Sequence, residues 1–371
     1  MPASFTSHIE RLPSTIPFVG PETAERNRGA PFLARIGANE SVFGPSPKAV
    51  RAMQAAAADA WKYGDPENHE LRNALAGRLG VRAENIMVGE GIDGLLGVAV
   101  RLYVEPGVKV VTSEGAYPTF NFHVAGFGGE LVKVPFREDR EDAMGLVAAA
   151  REQGAKVVYL SNPDNPMGTW WEGAQIEAMI AAMPKDATLF LDEAYMEFAP
   201  EGTAPPFDVS NPGVIRFRTF SKAHGMAGAR IGYAIGEEAT IAAFNKVRNH
   251  FGVSRIAQAG ALAAIDDTEW LASVQARVAE GRERIYQIAR QNGLAAIPSA
   301  TNFVAVDCGR DAAFAKAVLD ELVARGIFVR MPFAAPGNRC IRVGVGLPQD
   351  LDLFAEMLPQ VLETAHETAS A

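Results

Sequence analysis

Arg218-Thr219-Phe220-Ser221-Lys222-Ala223-His224-Gly225-Met226-Ala227-Gly228-Ala229-Arg230 is the stretch on which the rest of the chain depends. It follows Val214-Ile215-Arg216-Phe217, a β-branched and aromatic run that predicts a buried strand. Lys222 sits just past the strand end, with the hydroxyls of Thr219 and Ser221 before it and Gly225 and Gly228 after it. Arg230 follows eight residues later and opens a second apolar run, Ile231-Gly232-Tyr233-Ala234-Ile235. Hydroxyls and a guanidinium gathered around one lysine can clamp a phosphate and aim an amine at a carbonyl. The same residues also fit a surface lysine in a turn.

Two upstream stretches bear on that choice. Thr188-Leu189-Phe190-Leu191-Asp192-Glu193-Ala194-Tyr195 reads as a strand ending in an acid, with a tyrosine three residues on. Lys156 to Ser161 reads as a strand running into the turn Asn162-Pro163-Asp164-Asn165-Pro166-Met167-Gly168-Thr169. Asn-Pro-x-Gly, Asp-x-x-Tyr, and Ser-Lys with Arg eight residues later, in this order, resemble the fold-type I, pyridoxal-phosphate-dependent aminotransferases of classes I and II. The resemblance runs from the region of Asn39 to Gly346. Two further strings, Leu12-Pro13-Ser14-Thr15-Ile16-Pro17-Phe18-Val19-Gly20-Pro21 and Gly37-Ala38-Asn39-Glu40-Ser41-Val42-Phe43-Gly44-Pro45-Ser46-Pro47, are similar to the histidinol-phosphate aminotransferase subfamily.

The resemblance implies a role for each matching residue. Lys222 carries the cofactor and moves the proton, and Asp192 pairs with the pyridine nitrogen. Asp192 also fits a helix N-cap. Asn165 and Tyr195 bond the ring's phenolic oxygen. Tyr117 stacks on the ring or packs as a loop aromatic. Thr219, Ser221 and Arg230 hold the phosphate together with the glycine-rich turn Gly91-Ile92-Asp93, where a helix start presents free amides and a positive dipole end. Ile92 stands where the family usually has a serine, which leaves only a backbone donor there. Tyr63 reaches the cofactor phosphate of a neighbouring subunit or simply packs at a loop. Arg342 clamps a substrate carboxylate or lies exposed on its strand. Asn39 and Arg330 face the substrate, Arg330 at its phosphate end. Phe18 replaces a tyrosine that donates to that phosphate, which favours an aromatic side chain. His224 is read as a packing residue.

Periodicity supplies the coarse architecture. Strands and helices alternate from Asn85 to about residue 200, which predicts a parallel sheet flanked by helices, with ligands beyond the strands' carboxyl ends. Residues 1–30 read as an extended arm, 31–254 as a large cofactor-binding domain and 255–371 as a small α/β domain. A helix is expected over Ala49–Ala60, and another from Pro66 with Asp65 as its cap. A third is expected over Leu95–Val104, and a long connecting helix over Ile256–Ala289.

The 371 residues carry a net charge of −9, which argues against nucleic acid as a partner. The two cysteines, Cys308 and Cys340, lack metal-ligand spacing and suit a reducing compartment. No run approaches the ~20 apolar residues of a membrane span, and the first residues lack a secretory pattern, so a cytoplasmic protein is expected. The expected function is amino transfer from histidinol phosphate or an aromatic amino acid to an oxo-acid such as 2-oxoglutarate, by a homodimer using pyridoxal 5'-phosphate. A lyase or decarboxylase on the same fold is the alternative, because cofactor and fold do not fix which bond breaks.

Overall fold

Seven apolar runs become the strands of one sheet: β1 (Ile86–Gly89), β2 (Lys109–Ser113), β3 (Glu130–Val134), β4 (Val157–Ser161), β5 (Thr188–Asp192), β6 (Val214–Thr219) and β7 (Gly232–Ile235). They are seen in a computed structural model that describes residues 4–14 and 19–370. The sheet order is β1-β7-β6-β5-β4-β2-β3, and only β7 runs antiparallel to its neighbours. β4 and β5 are buried at every position, because helices cover both faces. The result is an α/β fold with a mostly parallel sheet.

A second core lies C-terminal. Phe303–Asp307 pairs antiparallel with Cys340–Gly344 and with Ala295–Ala296, and the helices Ala312–Ala324 and Pro348–Ser370 pack there. Phe354, Leu358 and Val361 line the buried stripe of the last helix at the three-to-four spacing of an amphipathic helix.

Several local expectations are corrected. The first thirty residues are not simply extended: Ser7–Glu10 and Pro21–Arg28 are helical, the latter with Pro21 at its first position and Gly29 closing it in the left-handed region. The helix foreseen at Pro66 begins at His69. The Asp65 carboxylate still accepts from the amides of Glu67 (3.0 Å) and His69 (2.7 Å), but Asn68, at φ 50°, interposes a turn. The helix placed at Leu95 starts four residues earlier, at Gly91, which puts Ile92 and Asp93 in its first turn. The long stretch from Ile256 is two helices, Arg255–Ile265 and Thr268–Gln291, broken at Asp266-Asp267. Asp267 is held there by Lys48 at 3.3 Å.

Packing crosses the boundary foreseen between residues 254 and 255 in both directions. Ala257, Ala261 and Ala264 pack with Ala49, Leu71 and Leu75 of the N-terminal half. Conversely, Ala34-Arg35 pairs parallel with Ile327-Phe328, and Ala34 and Ile36 join the C-terminal core. Arg330 forms an isolated bridge to Arg342.

Candidate active site

The carboxyl ends of β4, β5 and β6 open into a cavity of about 640 Å³. Each strand end delivers one group to it: Asn165 from the turn after β4, Asp192 as the last residue of β5, and Lys222 just past β6. The Lys222 Nζ donates to the Asn39 carbonyl at 3.1 Å and lies 5.4 Å from the Tyr195 ring. Burial, with the guanidinium of Arg342 adding to it, lowers the Lys222 pKa to about 8. Gly225, at φ 67°, turns the chain back against Gly44; a Cβ there would fall 2.2 Å from the Gly44 carbonyl oxygen.

Asp192 is 4% exposed and fully engaged. The Tyr159 hydroxyl donates to one carboxylate oxygen at 2.8 Å and the Ala194 amide to the other at 2.9 Å. It thus caps the following turn and also lines the cavity. Burial raises its pKa to about 6, and the two donors oppose that rise. Tyr195 accepts a hydrogen bond from Asn39 Nδ2 at 3.0 Å. Its phenol is pushed up to about 12 by burial, against the pull of Arg342.

Two arginines close the C-terminal side. Arg342 Nη1 donates to Asn165 Oδ1 at 2.6 Å, and burial lowers its pKa to about 10. Its Nε, like the Asn39 Oδ1, is buried with no hydrogen-bond partner among the described residues. Arg330 bridges Arg342 through the backbone and donates its Nη2 to the Val19 carbonyl at 2.7 Å.

The opposite side has the form of an anion cup. Gly91, at φ 76°, opens the helix Gly91–Tyr103, and a Cβ there would fall 2.5 Å from Arg230 Nη2. Arg230 is itself left-handed (φ 53°), and its Nη1 donates to the Ala227 carbonyl at 2.9 Å and to Ser221 Oγ at 3.5 Å. Thr219 Oγ1 lies 2.9 Å from Ser221 Oγ. Free helix-start amides, two hydroxyls and a guanidinium fit a phosphate, while a buried amine and a buried carboxylate suit an aldehyde and a pyridine nitrogen. The residues present thus fit pyridoxal phosphate.

Not every sequence candidate converges. Asp93 lines the cavity, yet its carboxylate pairs with His123 Nε2 at 3.1 Å rather than pointing to the cup alone. Tyr63 is 74% exposed, lies against Phe251 with ring centroids 4.8 Å apart and planes tilted by 38°, and does not line the cavity of a single chain. Phe18 lies outside the described residues. His224 packs on Phe220, and burial drops its pKa to about 4, in keeping with a packing role.

Sequence reasoning passed over Tyr159, which orients Asp192, and Ser161, which also lines the cavity. Their signal was two polar side chains at i and i+2 in an apolar strand, hence on one face. It passed over Phe122 and Phe333, exposed rings on the cavity wall from the two halves of the chain. Nothing in the local sequence distinguished those two.

Residues 34–358 match the family model for aminotransferases of class I and II. The chain is 36% identical over 340 residues to a histidinol-phosphate aminotransferase 2 of Pseudomonas aeruginosa, with 90% of each chain covered. It is also similar to a crystal structure of histidinol-phosphate aminotransferase from Sinorhizobium meliloti in complex with pyridoxal-5'-phosphate. That match has 54% identity and a TM-score of 0.94 over 97% of this chain and 98% of that one. A Thermus thermophilus aspartate aminotransferase, 22% identical with a TM-score of 0.81 over 97% and 100% of the two chains, shares the fold.

Proposed function

The chain belongs to the class I and II aminotransferases, pyridoxal-phosphate enzymes, and from that premise we propose that its amino donor is histidinol phosphate and its acceptor an oxo-acid such as 2-oxoglutarate. One observation carries this reading: three guanidinium groups, those of Arg230, Arg330 and Arg342, line the cavity that holds Lys222. Arg230 with its cup would hold the cofactor phosphate. Arg330 and Arg342 remain for a second anion, which is the phosphate of the donor in one half-reaction and a carboxylate of the acceptor in the other.

When bound, pyridoxal phosphate supplies an aldehyde that condenses with amines and a ring that takes up the electrons freed at the adjoining carbon. The protein does the rest. Lys222 Nζ, neutral in appreciable fraction because of its depressed pKa, serves as nucleophile and then as the group that takes and returns the substrate's α-proton. The Asp192 carboxylate, steadied by Tyr159 and the Ala194 amide, would hold a proton on the ring nitrogen. Asn165 and Tyr195 would orient the ring through its phenolic oxygen. Thr219, Ser221, Arg230 and the amides of Gly91 and Ile92 bind the phosphate, and Asn39 fixes Tyr195.

The active unit we propose is a homodimer, with Tyr63 completing the phosphate cup of the other copy. Trp61, Tyr63 and Phe251 are 80%, 74% and 51% exposed in the single chain, an apolar cluster that a second copy would cover. Free, buried Cys308 and Cys340 support a cytoplasmic setting. No helix among the described residues is long and apolar enough to cross a membrane.

A second reading is an aromatic amino acid as donor, favoured by Phe122 and Phe333 on the cavity wall and by Phe18 in the sequence. Comparing kcat/KM for histidinol phosphate and phenylalanine with 2-oxoglutarate as acceptor decides between them. Arg330→Gln should lower the value for histidinol phosphate by roughly ten- to a hundredfold, the loss of one hydrogen bond to a charged group, and spare phenylalanine. A parent that prefers phenylalanine overturns the first reading. Substrate consumption in the absence of any acceptor would point to a lyase or decarboxylase.

A further inference from the structure

Glu141 is 1% exposed, lies close to the cavity and takes no part in the chemistry above. Its Oε2 accepts from Ser113 Oγ at 2.6 Å. Its Oε1 accepts from Ser161 Oγ at 2.6 Å and from the Ser161 amide at 3.1 Å. Ser113 is the last residue of β2 and Ser161 the last of β4. The two strands are sheet neighbours, but their backbone register is limited to Val110↔Val157 and Val111↔Val158. Beyond that point Ser113 pairs only with Val134 and Ser161 only with Asp192. One carboxyl therefore spans the place where the ladder between β2 and β4 gives out.

The loops that leave these two strand ends carry Tyr117 and Asn165, which line the same cavity. We propose that Glu141 is a positioning residue that fixes the separation of the β2 and β4 ends, and through it the seat of the cofactor ring between Tyr117 and Asn165. The proposal rests on the pyridoxal-phosphate reading. Three features support it beyond the bridge itself. The segment bearing Glu141 is tied down independently, because Trp171 Nε1 donates to the Glu141 carbonyl at 2.9 Å. The Asn165 turn is braced by Asp164, which accepts from the amides of Met167 (2.9 Å) and Thr169 (3.2 Å). Among the described residues no ion pair engages Glu141, and burial, with Asp164 adding to it, raises its pKa to about 8. A neutral carboxyl still accepts from one serine and donates to the other, since a hydroxyl does both. The bridge depends on shape and hydrogen bonding, not on charge.

The test compares Glu141→Gln, Glu141→Ala, Ser113→Ala and Ser161→Ala in the holoenzyme. Two quantities are read: the dissociation constant for pyridoxal phosphate, followed by visible absorbance, and the visible circular dichroism of the bound cofactor. Glu141→Gln should keep the constant within about twofold, whereas Glu141→Ala should raise it about tenfold or more and diminish the dichroism. Each serine variant should raise it roughly threefold. A purely structural side chain would lower the melting temperature of all four variants and leave the cofactor's constant and dichroism unmoved. Unchanged binding in Glu141→Ala, or in both serine variants if Glu141→Ala does not fold, overturns the proposal. So does a Gln variant as impaired as the Ala variant. A parent protein that fails to bind pyridoxal phosphate overturns the functional reading and this inference with it.

Discussion

At the scale of single residues, the site works by opposing shifts. Burial and Arg342 hold the Lys222 amine near 8, so roughly a tenth of it is neutral at pH 7 and about half at pH 8. Lys222→Ala should abolish the cofactor's bound-state absorbance and cut turnover by on the order of a hundred- to ten-thousandfold; parent-like turnover would remove Lys222 from its role. Asp192 is shifted the other way, to about 6, and is kept from rising further by the Tyr159 hydroxyl at 2.8 Å. Tyr159→Phe removes a donor to the carboxylate, which destabilises its ionised form. The acid limb of kcat/KM should therefore move to higher pH, and a limb that stays in place would show that Asp192 does not set it.

At the scale of elements, β5 and β6 are joined by more than their backbone ladder. Glu193, adjoining Asp192, is fully buried between Arg216 (Nη2 to Oε1, 2.5 Å) and Arg218 (Nε to Oε2, 2.9 Å). Burial alone would raise its pKa, but Arg218 and Arg216 hold it below the usual range. Glu193→Ala leaves two buried guanidinium groups without their counter-ion and should cost about 3–5 kcal/mol in urea unfolding. The strand ends also govern how stability varies with pH. Glu141 and Asp164 have folded pKa values raised to about 8 and about 7, so the folded state binds more protons than the unfolded one between the unfolded and folded values. Stability then falls as pH rises through that window. His224, lowered to about 4, works oppositely, and its contribution is lost as pH falls from 6.5 to 4. Between pH 6.5 and 8 the carboxyl contribution stands apart from that of His224. There the melting temperature should decline with pH in the parent and decline less in Glu141→Gln; equal slopes would contradict the assignment.

At the scale of the whole molecule, the two halves of the chain meet at more than the cavity. Arg339, beside the C-terminal core, binds Asp139 of the N-terminal half with both terminal nitrogens at 2.9 Å and also reaches Asp307 at 2.7 Å. Arg339→Ala should destabilise both halves together, seen as a single unfolding transition moved to lower temperature. Two separated transitions would mean that the halves do not unfold as one cooperative unit, and a single transition left in place would mean that they are coupled elsewhere. The proposed dimer carries a prediction of its own. Mixing Lys222→Ala chains with Tyr63→Phe chains should give hybrid dimers in which one site has both defects and the other has neither, so activity should exceed that of either parent variant. A fully active monomer in sedimentation would end the shared-site reading.

The sequence by itself determined the strands of the large sheet, the Asn165, Asp192, Lys222 and Arg230 set, and the fold those imply. Each of these is written locally, as a β-branched run followed by a turn, and strand-end chemistry falls where a parallel sheet opens. It could not place helix starts such as Gly91 and His69, because caps compete within a few residues and packing selects among them. It could not show that Ala34 and Ile36 belong with a core formed almost three hundred residues later. Nor could it single out Glu141 from the charged run Arg137-Glu138-Asp139-Arg140-Glu141-Asp142, where each side chain reads as solvated. Burial turns one member of that run into a bridge between strand ends, and burial is a property of the assembled sheet.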